Sequence, residues 1–375
     1  MTIFLSIVIG LITILLLITL HEFGHFVVAK LSGAYVYEFS IGMGPKIFQW
    51  GKKETRYTLR LLPLGGYVSI ASEIVDPPKG REAEEVTEQQ FMENIHRGKK
   101  AVFISAGSLV NLFLAFLLLI IGYTIFPVKQ DLNLAPTFIN YGPVFEAVEQ
   151  YNDKSEHTIK IGATDVIIKI ENKLIAGSQQ DITSYYDLTK WLGKNNLDRE
   201  EKENQLTIWF NRQSETKEPI QIEVTTKAED KYFLGATASS YQLNAGQIIG
   251  DGFVDTFKNS YSVLQALGQL LTFNWQNLSG PVGIIKSTTA FLDGNLTTQQ
   301  SASNYFRWAG LLSANLFLLN MIPIPPLDGY KFVENAVEAV TRKKINSKFK
   351  IVVSIIGAIL FLAIFIAITI KDILI

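Results

Sequence analysis

His21-Glu22-Phe23-Gly24-His25 closes an apolar run that starts at the first residue, and no charged side chain stands between Met1 and Leu20. On a helix the two histidines fall one turn apart on one face, where both imidazoles can ligate a single zinc ion. Glu22 then stands beside the metal, in place to act as general base on the attacking water. An uncharged run of this length reads as a membrane-embedded helix. Titratable groups are costly in such a helix, and metal ligation offsets much of that cost. The stretch therefore predicts a metal-dependent hydrolase site within or at the edge of a bilayer.

The chain has 375 residues, room for two or three domains. Its hydrophobic residues make up 48% of the total and come in blocks, the pattern of a membrane protein. A net charge of −1 supplies no basic field, which excludes nucleic acid as the main partner. The absence of cysteine excludes disulfides, thiolate catalysis and Cys-ligated zinc. There are four histidines, His21, His25, His96 and His157, so half of the imidazoles lie at ligand spacing. The first run lacks a basic leading region and a small-residue cleavage site, and it continues through the histidines to Val28. It is expected to be retained rather than removed as a signal peptide.

Three further blocks have spanning length: Ala101 to Phe126, Gly310 to Leu327 and Ile351 to Ile370. Phe253, Phe257, Tyr261, Leu264, Leu267 and Leu271 recur at helical spacing in a block that also holds Asp255 and Lys258. That block reads as an amphipathic helix against the membrane or the bundle. With about four spans, the basic residues set the orientation. Lys46 to Lys100 and Arg342 to Lys350 carry the Lys and Arg, so both loops are expected in the cytoplasm and the termini outside. Within the first loop, Ile47 to Trp50 and Tyr57 to Leu62 read as strands of a hairpin turning at Gly51-Lys52-Lys53-Glu54. The glycines of Leu62-Pro63-Leu64-Gly65-Gly66-Tyr67 suggest backbone geometry closed to other residues. The hairpin either rests on the lipid headgroups or offers a strand edge to an extended peptide. From Ala135 to Ser240 the composition turns soluble. Strands are expected at Val166 to Ile170, Lys173 to Ile175, Leu206 to Phe210 and Ile220 to Thr225, with a helix at Tyr185 to Leu192.

A catalytic zinc takes three protein ligands and keeps one position open. The extended motif H-E-x-x-H-x-x-G-x-x-H fails here, since Val28 and Leu31 stand where its glycine and third histidine belong. Glu38 and Glu54 lie across the hairpin loop, and His96 and His157 fall in polar loops on opposite sides of the membrane. Among carboxylates that adjoin apolar spans, Asp328 remains, in Asn320-Met321-Ile322-Pro323-Ile324-Pro325-Pro326-Leu327-Asp328-Gly329. The prolines break the third span, which is tolerated at depth where backbone faces protein or a wet cavity.

Together these motifs resemble the site-2 proteases, in particular the bacterial regulator-of-sigma-E protease group. The resemblance runs through His21-Glu22-Phe23-Gly24-His25, Gly42-Met43-Gly44-Pro45, Pro63-Leu64-Gly65-Gly66-Tyr67 and Gly107 with Asn111. It continues through Gly280-Pro281-Val282-Gly283 and the stretch from Asn320 to Gly329. It implies an α-helical multi-span membrane protein with a cytoplasmic membrane-associated β-hairpin loop and an inserted extracytoplasmic α+β PDZ-like domain. The implied organisation is an N-terminal membrane half over 1–127, the PDZ-like domain over 128–245, and the amphipathic helix with the last two spans over 246–375. In that family His21, His25 and Asp328 would hold Zn2+ and Glu22 would activate water. Asn320, Pro323, Pro325, Gly65, Gly66 and Tyr67 would hold the substrate. The implied activity is cleavage of transmembrane segments of single-span proteins in a bacterial cell membrane, with anti-sigma factors or signal-peptide remnants as substrates. The chain departs from the family in three places. Ser108 replaces a proline that often follows Gly107, Tyr330 replaces the second glycine after Asp328, and the PDZ-like stretch from Gly162 to Asn172 lacks a compact Gly-Asp pair.

Simpler readings stand beside these. Asp328 could serve as an N-cap, Asn320 could join helices, and Gly107 and Asn111 read as packing residues of the second span. A zinc-binding, non-proteolytic scaffold working through its PDZ-like domain would need the ligands but not Glu22. A metal transporter would want polar residues along a path through the spans, and these spans are nearly free of them.

Overall fold

The computed structural model describes the chain apart from residues 1, 52–53, 74, 83, 132–135, 139–142, 155–160, 162–164, 195–203, 213–218, 227–235, 238, 273–279, 281–282, 285–286, 289–295 and 375. His157, the hairpin turn at Lys52 and Lys53, Pro281 with Val282, and the stretch from Gly162 to Thr164 lie outside the described residues. The chain divides into two compact units, Met1–Pro127 with Asn244–Ile375, and Val128–Leu243.

The first unit opens with α1 (Thr2–Ser32), which carries no acidic residue in its first turn and has Lys30 in its last. Its packing is inverted relative to a water-soluble helix. Ser6 and Thr13 are buried while Phe4, Ile12 and Leu16 face outward. Where the surroundings are hydrocarbon, large apolar side chains gain nothing by turning inward, and small or hydroxylated ones let helices approach. Thr13 shares a hydrogen bond with Tyr305, 3.0 Å away.

Strands β1 (Val36–Trp50) and β2 (Arg56–Ile70) follow and pair antiparallel, with several register breaks. Glu38 lies opposite both Ser69 and Arg56, and Ile41 opposite both Gly66 and Leu59. The first half of β1 is thus flanked on both sides by β2, and the hairpin curls back on itself. The expected strands Ile47 to Trp50 and Tyr57 to Leu62 are only the outer part of this sheet. Leu62 to Tyr67 lies inside β2, and Gly65 sits there at φ +94°. A side chain at that angle would be strained, so this glycine is what lets the strand bend without ending.

After two single 3₁₀ turns, α2 (Arg97–Ile125) begins, and His96 caps it by accepting from the Gly98 N–H at 3.2 Å. The second unit comes next, with β3 (Val128–Asp131), β4 (Thr137–Phe138), α3 (Pro143–Asp153), β5 (Asp165–Asn172), β6 (Gln180–Asp181), α4 (Tyr185–Lys194), β7 (Asn204–Arg212), β8 (Ile220–Thr226), β9 (Ala236–Thr237) and β10 (Ser239–Gln242). Its main sheet has the order β6-β5-β7-β8, with all described pairings antiparallel. Ile167, Ile170, Leu188, Trp191, Ile208 and Phe210 centre its core. The strand expected at Lys173 to Ile175 is a turn. The buried Asn172 accepts from the Leu174 N–H and closes it, overriding a local β-preference. Helix α3 was not expected from the sequence, although Val144 and Val148 bury one turn apart into the core.

The chain returns to the first unit with α5 (Ala245–Leu271), capped by Asn244 and Gln247 in a capping box. Its Gly252, Thr256 and Ser260 are buried, and Phe253, Phe257, Tyr261 and Leu264 point outward. The apolar stripe read in the sequence is therefore the exposed face. Then come α6 (Thr298–Met321), α7 (Asp328–Thr341) and α8 (Ser347–Leu374).

The expected third span, Gly310 to Leu327, differs in extent. Helix α6 begins at Thr298 and stops at Met321, ahead of the prolines. Its polar first half is accommodated because Ser303 donates to the Gly122 carbonyl at 2.7 Å and Arg307 to that of Phe126 at 2.6 Å. Among the described residues, three helices are long and apolar enough to cross a membrane: Phe4–Ser32, Arg97–Ile125 and Ser347–Leu374. Helix α6 misses that class on its polar beginning, not its length.

Candidate metal centre

Two elements deliver the centre's side chains and a third walls it. The last turns of α1 present His21 and His25, both only 6% exposed. The proline-rich turn after α6 reverses the chain and starts α7 on Asp328, whose side chain is 14% exposed. Helix α2 forms the wall between them. Gly107 lies against both imidazoles, and a Cβ there would stand 2.7 Å from His21 Nε2.

The donor atoms converge. Asp328 Oδ2 lies 3.2 Å from His21 Nε2 and 3.0 Å from His25 Nε2, and the two nitrogens are 3.2 Å apart. A tetrahedral zinc with bonds near 2.0–2.1 Å separates its ligands by about 3.3 Å, so this triangle is close to the size that zinc demands. The donor set, two imidazoles and one carboxylate, is also of catalytic type. His25 Nδ1 must donate to the Phe103 carbonyl at 2.8 Å, since a carbonyl only accepts, and that leaves Nε2 bare for a metal. The residues present fit a divalent metal ion. Among the described residues this is the group of three or more such side chains that could hold one.

Glu22 is half-buried on α1, and a Cβ at Gly66 would stand 3.7 Å from its Cγ. Its carboxyl is thus beside the histidines in sequence and beside β2 in space. Gly65, Gly66 and Tyr67 share that stretch of β2, where Tyr67 accepts from Arg60 at 2.6 Å. Asn320 lies half-buried in the last turn of α6, Pro323 is exposed, and Pro325 is half-buried in the turn between α6 and α7. The other carboxylates weighed as ligands have different partners. Glu38 pairs with Arg60 at 2.8 Å and Glu54 with Lys30 at 2.7 Å.

Gly107 and Asn111, which read in the sequence as packing residues, both lie against the histidines. The Asn111 amide lies 3.2 Å from His21 Nδ1. A polar residue one helical turn after a glycine, in an otherwise uncharged span, was the available signal.

Comparison with known proteins gives the chain a family. The model of peptidase family M50 matches residues 9–364. A protein of Staphylococcus aureus strain MSSA476, named as a putative zinc metalloprotease, is 30% identical over 95% of each chain. Zinc metalloprotease RasP of Oceanobacillus iheyensis is 28% identical, covering 95% of this chain and 96% of its own. A further relative from Clostridium acetobutylicum, also named as a putative zinc metalloprotease, is 28% identical over 99% of this chain. With the match running through α1, α2, α6 and α7, the chain belongs to peptidase family M50, the site-2 protease family of membrane metalloproteases.

Proposed function

We propose that this protein is a zinc-dependent intramembrane endopeptidase that cleaves the transmembrane segments of single-span proteins in a bacterial membrane. The observation that carries this reading is the convergence of His21, His25 and Asp328 at the ends of apolar helices, with Glu22 beside β2. His21, His25 and Asp328 would hold the zinc ion. When bound, zinc supplies Lewis-acid polarisation of the scissile carbonyl and lowers the pKa of water at the site.

Glu22 takes the proton of the attacking water as its oxygen bonds to the carbonyl carbon. It passes that proton to the amine nitrogen as the C–N bond breaks. A helical substrate hides its carbonyls in i to i−4 hydrogen bonds, so it must unwind before it can be cut. The edge of β2 at Gly65, Gly66 and Tyr67 would pair with the unwound backbone. Asn320, Pro323 and Pro325 would hold it from the other side. Residues 128–243 would act as a PDZ-like filter outside the membrane, admitting substrates whose outer part has been removed. Anti-sigma factors and signal-peptide remnants are the substrate classes that the family resemblance offers.

Replacing Glu22 by Gln tests the reading. Turnover of a membrane-spanning reporter should fall by about 10²–10⁴ if general-base catalysis is lost, while zinc content stays at the parent level. Parent-like turnover in that variant would overturn the assignment.

A further inference from the structure

Within the metal centre just proposed, the hydrogen bonds beneath the two histidines do not match. His25 donates from Nδ1 to the Phe103 carbonyl, which leaves its Nε2 bare. His21 Nδ1 instead faces the amide nitrogen of Asn111 at 3.2 Å, and an amide nitrogen only donates. In that arrangement His21 must accept at Nδ1 and carry its proton on Nε2, the nitrogen aimed at Asp328. Such a tautomer cannot ligate through Nε2.

The same arrangement leaves two buried groups unpaired. Asn111 is fully buried, and its Oδ1 has no hydrogen-bond partner. Ser108 is fully buried as well, and its Oγ also has none. Ser108 stands three residues before Asn111, on the same face of α2. A buried polar atom left unpaired costs about 1–3 kcal/mol.

A half-turn of the carboxamide exchanges its oxygen and nitrogen in nearly the same volume. Oδ1 then accepts from His21 Nδ1–H, and Nε2 is bare on both histidines. The amide N–H groups move to the side where Oδ1 was orphaned. The backbone around this side chain is anchored, because Ser313 of α6 donates to the Asn111 carbonyl at 2.8 Å.

We infer that Asn111 is a positioning residue for the metal, accepting from His21 Nδ1 and so fixing the tautomer in which His21 Nε2 can ligate. It does for His21 what the Phe103 carbonyl does for His25. Asn111 touches neither the metal nor the substrate in this role; it acts through His21. The inference rests on His21 being a zinc ligand.

The test measures zinc affinity of the purified full-length protein by competition with a chromophoric chelator, in four proteins: the parent, Asn111→Leu, Asn111→Asp and His21→Ala. Removing such a hydrogen-bond partner of a ligand costs about 10–100-fold in affinity, and that loss is expected for Asn111→Leu. An ionised Asp at this position only accepts, so Asn111→Asp should stay within about threefold of the parent when measured above the carboxylate range. Rescue by Asp but not Leu is a result that a mere packing or folding role would not give. Parent-like affinity in Asn111→Leu overturns the inference, as does a loss in Asn111→Asp equal to that in Asn111→Leu. The His21→Ala control distinguishes the metal centre from the role of Asn111. If His21→Ala binds zinc as the parent does, the metal-centre reading itself fails. If His21→Ala loses zinc and Asn111→Leu does not, only the role of Asn111 fails.

Discussion

At Gly107 the metal centre depends on an atom that is not there. The residue lies on α2 against His21 and His25, and a Cβ would stand 2.7 Å from His21 Cε1 as well as Nε2. His25 Nε2 would lie closer still, and both rings are buried and held by further hydrogen bonds, so neither can swing aside cheaply. Gly107→Ala should therefore displace an imidazole or part α1 from α2. The expected outcome is zinc content reduced at least about tenfold after dialysis, comparable to loss of a ligand-orienting partner. Parent-like zinc content would show that the wall yields. The candidate ligands are far more legible in the sequence than this wall. His21 and His25 declare themselves by spacing, and Asp328 by being a carboxylate beside an apolar block. Gly107, Asn111 and the Phe103 carbonyl act through where α2 packs, and packing across a bilayer leaves no periodic signal in one chain.

The curled β1–β2 hairpin is the element whose form was least legible. Strand propensity gave its outer part, but the curl depends on tertiary bonds that converge on Arg60. That guanidinium donates to Ser40 Oγ at 2.9 Å, the Gly44 carbonyl at 2.7 Å, Glu38 at 2.8 Å and Tyr67 at 2.6 Å. Burial pushes the Glu38 carboxyl up, but hydrogen bonds from Thr58 and Arg60, the Arg60 charge and a bond from Tyr67 outweigh it. The group sits below its ordinary value of 4.5. A carboxylate with a depressed folded pKa adds stability above its unfolded value, and that stability is lost as pH falls through the folded one. The hairpin should thus hold from neutral pH down to the ordinary carboxylate range and loosen only below it. Hydrogen exchange, corrected for its intrinsic pH dependence, should show protection of residues 38–44 and 58–67 falling in that acid window. Arg60→Leu should lower protection there at neutral pH and flatten the acid step. Glu338 provides an internal comparison. Burial raises its pKa too, and the bonds from Lys350 Nζ and the Ile345 N–H bring it below the ordinary value. The turn between α7 and α8 should therefore keep its own acid step in Arg60→Leu. Persistence of the hairpin's acid step in that variant would show that Arg60 does not hold it.

At the scale of the whole chain, hydropathy located the membrane blocks and missed how α6 uses its polar half. Its hydroxyls, amides and Arg307 look soluble in the sequence, yet Ser303 and Arg307 bond to carbonyls at the C-terminal end of α2. Side-chain to backbone bonds of this kind let polar residues enter a helix bundle, and no window average can register them. The second unit joins the rest through strands that lie side by side. Val128 of β3 is paired with Gln242 of β10, so the chain leaves and re-enters that unit at neighbouring points. An insertion of this form disturbs its host little. The basic residues of the two loops argue that residues 34–96 and 342–346 are cytoplasmic and that residues 128–243 are outside. Because the chain has no cysteine, single cysteines can report on this directly. Glu85, Lys343 and Lys190 are all exposed. In intact spheroplasts a membrane-impermeant maleimide should label Lys190→Cys, and should label Glu85→Cys and Lys343→Cys only after the membrane is opened. Labelling of Glu85→Cys before permeabilisation would invert the orientation. It would also put the β1–β2 edge, and with it the entry of substrate to Glu22, on the outer face.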